Sequence, residues 1–431
     1  MVGAVTIFLL IGVYVRGAVA PPVQDIFLSE GRRLSKRQQR HPPQEEQAQQ
    51  TSFLENLAAA AGPAIAWDWA APIGASNSPD SDGCSWSAFE PPSARVNSSI
   101  CLRPGADLLA DTIRRKHYWP ECADLPAMFA AAPASDDPQP SAQAAAAALF
   151  IDIGANVLAC SVHMLLASDA TVVSFEPGPD NAFYASRSLL RLTQEGGPVP
   201  DAAKRLLLMR AALGTEASGE QLLHQAVGNA GHAVIGQKPT QYAPLGHVAA
   251  QKILIRRLDD LLWPPGARSS GTPAPSIALL KVDVEGYECE VIKGMPELLK
   301  AGAVASMKLE VFDILLRVQG CSAAKLQRLV ADAGFLLYRS GEDSTGLPSK
   351  ASLLAPETVP MLAQGVPYNL WCVRQRAPTA EGMAAAPPSP PSGGDAATPG
   401  GVEADRRRRR QLVRKQRTAR RLADLFKMKV R

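Results

Sequence analysis

Leu149-Phe-Ile-Asp-Ile-Gly-Ala-Asn156 is the stretch whose reading decides the fold. Apolar residues on both sides of a single acid read as a buried strand that ends in a glycine turn, and an amphipathic run over 157–167 follows at once. Strand, glycine turn and helix in that order make the phosphate or nucleoside corner of a doubly wound α/β sheet. Twenty-four residues after Asp152, the strand Thr171-Val-Val-Ser-Phe175 ends on Glu176-Pro177. An acid at the end of the next strand is where such folds grip the two hydroxyls of a ribose. The two stretches together predict a nucleoside cofactor site, with Asp152, Gly154, Asn156 and Glu176 as its candidate residues.

Working outward downstream, 205–214 reads as a third strand ending at Gly214, and 220–250 as a hairpin or loop carrying His224 and His232. Those two histidines read as loop residues rather than bases. A short strand passing into a helix covers 253–262, and a polar Pro/Ser/Gly insert covers 264–276. Ile277-Ala-Leu-Leu-Lys-Val-Asp-Val-Glu-Gly286 is then a buried strand with Lys281, Asp283 and Glu285 at its C-terminal end, the edge where open α/β sheets place their ligands. A helix over 287–300, a strand over 306–311 with Glu310 near its end, a helix over 322–333 and strands over 335–338 and 368–373 complete the pattern. No crossover helix is evident between the last two strands, so they are expected to pair antiparallel. The predicted fold is α/β: a Rossmann-like seven-stranded sheet, mostly parallel with an antiparallel last strand.

Upstream, residues 1–15 form an apolar run closed by Arg16. It is short for a membrane span but long enough for a signal core, and Pro21 after Ala18-Val-Ala20 favours an uncleaved anchor. Residues 1–20 are therefore expected to be a signal peptide or signal anchor, and 21–96 a disordered stem. Residues 97–148 read as a lead-in helix and linker, with 149–375 the main domain. In the lead-in, 107–115 has helical spacing and Pro120 stops it. This helix reads as packing over a sheet edge; His117, Trp119 and Glu121 closing over a cofactor or acceptor is the alternative. The sequon Asn97-Ser-Ser99 lies in a Pro/Ser-rich stretch, as a glycosylated surface segment would. Together with the apolar start and the cysteines at 84, 101 and 122, it points to the secretory pathway, the Golgi membrane included; an organelle or the cytoplasm is the alternative.

The net charge of +4 hides an uneven distribution. Residues 406–431 hold thirteen Lys or Arg against one Asp, so the rest of the chain carries about −8. The body is thus no nucleic-acid binder; weak polyanion affinity, for RNA or an anionic membrane, belongs to this tail. Residues 376–405 are Ala/Pro/Gly-rich without periodicity, a disordered linker. Seven cysteines include no CxxC pair and no histidine at ligand spacing, which argues against structural zinc.

Phe150-Ile-Asp-Ile-Gly-Ala-Asn156, Phe175-Glu-Pro177, Arg257-Leu-Asp-Asp-Leu261, Leu280-Lys-Val-Asp-Val-Glu-Gly-Tyr-Glu288 with Ile292-Lys-Gly294, and Leu309-Glu-Val311 stand in the order of the FkbM-type methyltransferases. The resemblance runs over about 101–373. It implies S-adenosylmethionine as cofactor and methylation of an oxygen, often a sugar hydroxyl, so the expected partner is a glycan or small-molecule acceptor. The competing reading is a catalytically inactive scaffold whose basic tail binds RNA or anionic membrane. An NAD-dependent oxidoreductase is disfavoured by the absence of a GxGxxG turn.

Methyl transfer from a sulfonium is an in-line displacement, so aligning donor and acceptor must supply most of the rate. Gly154 would let the backbone approach the cofactor. Asp152 and Asn156 can meet its amino-acid end, and Glu176 can accept from the ribose. Asp283 or Glu285 could act as general base on the acceptor hydroxyl, with Lys281 pairing one of them. Asp283, Glu285 and Glu310 offer oxygen ligands suited to Mg or Ca, but nothing in their spacing demands an ion and no metal is expected. The family usually carries a second glycine where Leu158 stands, so this side chain would either crowd the cofactor or pack under the helix.

Overall fold

The computed structural model describes residues 44–74, 83–105, 107–132, 149–226, 229–236, 251–339 and 367–375. The chain divides into two compact units, Met1–Arg376 and Ala377–Arg431, and every described residue belongs to the first. The apolar run at 1–15, most of the linker before 149, residues 237–250 and the two C-terminal segments lie outside the described residues. Among the described residues no helix is long and apolar enough to cross a membrane.

The strands are β1 (Ser85–Phe89), β2 (Ser98–Leu102), β3 (Leu149–Ile153), β4 (Thr171–Phe175), β5 (Leu206–Met209), β6 (Ala212–Leu213), β7 (Ser218–Ala226), β8 (Asn229–Ile235), β9 (Gln251–Arg256), β10 (Ile277–Val282), β11 (Val304–Val311), β12 (Phe335–Arg339) and β13 (Tyr368–Arg374). Seven of them form one sheet in the order β12-β13-β11-β10-β3-β4-β5. From β11 to β5 every pairing is parallel, while β13 lies antiparallel between β11 and β12. The chain lays β3, β4 and β5 outward in one direction, then returns to place β10 on the other side of β3. That reversal opens a crevice beyond the C-terminal ends of β3 and β10, where ligands of open α/β sheets sit.

β3 and β4 are buried at every residue, as strands covered on both faces must be. One face packs Ile151, Val173, Leu280 and Met307 against the helices around 288–300 and 323–332; the other packs Phe150, Val172 and Leu279 against the helices Ala159–Ala167 and Pro179–Thr193. Ser322 accepts from the Lys325 N–H and so starts the helix Ala323–Asp332.

Several elements depart from the sequence reading. The stem expected over 21–96 is folded over 44–74 and 83–96: the helix Gln44–Ala61 buries Leu54 and Leu57, and Ile65, Trp67 and Ile73 are buried after it. Arg210 N–H donates to the Ile65 carbonyl and Trp67 N–H to the Leu208 carbonyl, so this segment covers the open edge at β5. The strand expected over 205–214 breaks at Arg210, because Ala212–Leu213 leaves the main sheet to pair with β9 in a four-stranded sheet of order β6-β9-β7-β8. The helix expected over 287–300 is two short helices, Glu288–Lys293 and Pro296–Lys300. Proline lacks the N–H that continuity would need, and the buried Asp259 carboxylate instead accepts from the Glu297 and Leu298 N–H groups.

Six of the seven cysteines pair: Cys84–Cys101, Cys122–Cys160 and Cys289–Cys321, leaving Cys372 free and buried. The second bond ties the lead-in segment to the helix that follows β3.

Candidate active site

A cavity of about 320 Å³ opens at the predicted crevice, lined from the ends of β3, β4, β10 and β11, the β5–β6 segment and the lead-in. Its β3 wall is shaped by the turn after Ile153. Gly154 and Ala155 N–H groups both donate to the Phe175 carbonyl, and Asp283 N–H donates to the Ile153 carbonyl. Gly154 adopts φ +79°, and a Cβ there would stand 1.9 Å from the Asp283 carbonyl oxygen. The need for glycine is therefore set by the neighbouring turn of this chain, a closer constraint than approach to a ligand. Asn156 lines the cavity at φ 52°.

Glu176, at the end of β4, is buried and lines the same wall. One oxygen accepts from the Asn156 N–H at 2.8 Å; the other accepts from the Gly178 N–H at 2.8 Å and the Asn181 amide at 3.3 Å. Burial pushes its carboxyl up to about 7 against the lowering effect of those donors. It couples the β3 turn to the β4 turn as well as facing the cavity.

Asp152 sits elsewhere than expected. It is fully buried beneath the cavity, where it accepts from Ser161 Oγ at 2.7 Å and pairs with Lys281 at 3.2 Å. It does not itself line the cavity; it anchors Lys281. The register explains the pairing, since Asp152 and Lys281 are direct neighbours across β3 and β10. Lys281 Nζ also lies 3.3 Å from Asp283. Burial alone would lower the Lys281 pKa, but Asp152 and Asp283 together outweigh it and raise it, so this side chain is a fixed cation rather than a base.

Asp283 and Glu285 stand on the turn after β10, Glu285 at φ 53°, and Glu310 stands near the end of β11. Their carboxylate oxygens lie within 4.8 Å of one another. Burial, followed by the charges of Asp283, Glu285 and Glu288, holds the Glu310 carboxyl well above the usual range. Glu288, just behind the turn, accepts from the Val284 and Gly286 N–H groups and is pushed by burial up to about 7.

The lead-in supplies what the sequence reading ranked second. Trp119 and Glu121 line the cavity, whereas His117 caps the helix Leu108–Lys116 and faces Glu90. Trp119 hydrogen-bonds Glu121, whose carboxyl is raised by burial and by Asp283. Lys308 fixes this segment by donating to the Glu121 carbonyl and the Asp124 carboxylate. His224 lies within β7 but does not line the cavity, although its neighbour Leu223 does; the side chain of His232 lies outside the described residues.

Leu158 does not crowd the cavity. It is fully buried in the core beneath the helix Ala159–Ala167 and contributes nothing to the wall. Its φ of 67° is a left-handed conformation costing a non-glycine residue roughly 1–2 kcal/mol, which is why glycine is the easier residue there.

Residues 152–320 match the family described as the Methyltransferase FkbM domain. A comparison with curated proteins finds no match. Among solved structures, precorrin-6y C5,15-methyltransferase from Geobacter metallireducens GS-15 is similar over 53% of this chain and 82% of that one, at 9% identity and a TM-score of 0.25, a likeness too slight to add to the family match. Residues 152–320 thus carry an FkbM methyltransferase domain, which supports a methyltransferase activity.

Proposed function

We propose that this domain binds S-adenosylmethionine in the cavity and methylates the oxygen of a sugar or glycan hydroxyl. The observation that carries the proposal is that one cavity is lined by two sets of polar residues, from which we assign two ends. Gly154, Asn156 and Glu176 form a donor end at β3 and β4, and Asp283, Glu285 and Glu310 form an acidic end at β10 and β11. The residues fit the cofactor: Glu176 keeps lone pairs for a ribose, and Phe175 with Ala211, Ala212 and Leu213 offers an apolar wall for a base. Bound there, it would supply an electrophilic methyl on a sulfonium. Asp283 or Glu285 would take the acceptor hydroxyl's proton as the new C–O bond forms, and the electron pair of the broken C–S bond stays on sulfur. Lys281 would hold Asp283 in place, and Asp152 with Ser161 would hold Lys281.

Calorimetric titration of the full chain with S-adenosylmethionine, S-adenosylhomocysteine and NAD tests the reading. Saturable binding of the first two and none of NAD is the expected result; no heat and no thermal shift at millimolar S-adenosylmethionine refutes it. For the compartment, a lumenal location draws support from three disulfides and from the exposed Asn97 of the sequon. Asn97→Gln in cells is its check: loss of an endoglycosidase-sensitive mass is expected, and an unmodified wild-type chain counts against it.

A further inference from the structure

Glu121, Glu176, Asp283, Glu285 and Glu310 face the cavity, and among its described lining residues Lys281 is the one cation. Lys281 is already shared between Asp152 and Asp283, and Lys308 is taken up by Asp124 and the Glu121 carbonyl. We propose that Asp283, Glu285 and Glu310 form a binding site for a divalent, oxygen-seeking cation of the Mg²⁺, Mn²⁺ or Ca²⁺ class.

Two separate observations support the site. The first is the convergence of three carboxylates from two strand ends, their oxygens within 4.8 Å of one another. The second is Glu310 Oε2, which is buried and meets no hydrogen-bond partner among the described residues. A buried carboxylate oxygen is costly to leave unmatched, and neither nearby lysine is available to serve it. An ion between the three acids would satisfy that oxygen and offset the charge around it. The ligands are all oxygen, without His or Cys, which selects hard cations over zinc or copper. Their position on the cavity wall leaves coordination positions for water and for an acceptor's oxygens.

The role of the ion rests on the methyl-transfer reading above, although the site itself does not. A cation here would hold the acceptor hydroxyl beside the donor and lower its pKa; with Asp283 and Glu285 occupied as its ligands, Glu121 on the same cavity wall would take the proton in their place. An acceptor with two adjacent hydroxyls, as many sugars have, could chelate it.

The test is titration of the chelator-stripped full chain with MnCl₂, read by the electron paramagnetic resonance of free Mn²⁺ and by melting temperature. One ion per chain is expected with Kd below about 1 mM, the range of open oxygen sites. The double variant Asp283→Asn/Glu310→Gln should bind at least tenfold more weakly and lose the ion-induced rise in Tm. If that variant does not melt cooperatively, the single variant Glu285→Gln carries the same expectation. No saturable binding to about 5 mM, well beyond that range, overturns the proposal. Unchanged affinity in a folded variant overturns it equally. Because the readout needs no methyl donor, an ion that binds where S-adenosylmethionine does not would leave this site standing and refute the proposed reaction instead.

Discussion

Replacing Glu176 by Gln separates the two demands placed on this carboxyl, joining two turns and serving a ligand. The folded carboxyl titrates at about 7, against 4.5 for an ordinary one, with burial the main cause. Between those values the folded chain holds a proton that the unfolded chain has released, so stability falls as pH rises. The contribution is fully present below about pH 4.5 and gone above about pH 7. A shift of this size corresponds to about 3 kcal/mol. Glu288 acts in the same direction, so the wild-type slope contains both, and only the difference between wild type and variant belongs to Glu176. Gln sets its NH₂ against one of two backbone donors, Asn156 N–H or Gly178 N–H, a penalty of roughly 1–3 kcal/mol that does not vary with pH. Urea unfolding at several pH values from 4.5 to 8 is the assay. The expected result is a wild type that loses about 3 kcal/mol more than the variant across that range. Parallel stability curves refute the assignment of this titration to Glu176. Binding of S-adenosylmethionine should fall at least tenfold in the variant.

Three further substitutions address the frame around the cavity. Gly154→Ala places a Cβ against the Asp283 carbonyl at positive φ and should cost at least about 3 kcal/mol, read by thermal melting; a loss under about 1 kcal/mol would mean that the two turns move apart freely. Leu158→Gly relieves the left-handed backbone but empties a fully buried site, for a net loss of roughly 1–4 kcal/mol. Its affinity for S-adenosylmethionine should stay within about threefold of wild type, since a larger gain would show Leu158 crowding the ligand after all. Cys122→Ser/Cys160→Ser opens a link spanning 38 residues, worth about 4 kcal/mol on loop-closure grounds, and an unchanged Tm in that variant would rule out the bond.

The main sheet was legible because its strands are buried on both faces and therefore read as unbroken apolar runs, and because acids stand near the ends of β4, β10 and β11. The same logic misled at 205–214, where apolar character continues through the point at which the chain changes sheets; only Arg210 marks the break. The helix Gln44–Ala61 was missed because it is polar around most of its circumference, with Leu54 and Leu57 its anchors and Ala supplying the rest. Disulfide connectivity had no local signal, since the partners lie 17, 38 and 32 residues apart. Asp152 also carried a signal of its buried partner. An acid in the middle of a fully apolar strand needs a buried partner more urgently than it needs a ligand.

That partner belongs to a row of polar side chains laid across the sheet at one register: Ser174 on β4, Asp152 on β3, Lys281 on β10 and Lys308 on β11. Residues directly opposite in a parallel sheet share a face, so the row forms one buried layer under the cavity floor. Its charges do not cancel within the sheet, because one acid stands against two lysines. The surplus is met from outside: Asp283 on the turn above takes a share of Lys281, and Asp124 of the lead-in takes Lys308. Asp283 and the Trp119–Glu121 segment are thus held at the cavity by cations rooted in the strands. The lead-in lies outside the residues that match the family, yet Lys308 and the Cys122–Cys160 bond make it part of the same wall. A chain shortened to the matched domain would leave Lys308 buried without its carboxylate, an uncompensated charge costing roughly 3–5 kcal/mol. The boundary set by packing therefore falls ahead of residue 121, and the contacts of 54–67 with β5 carry it further upstream, well before the strand with which the sheet begins.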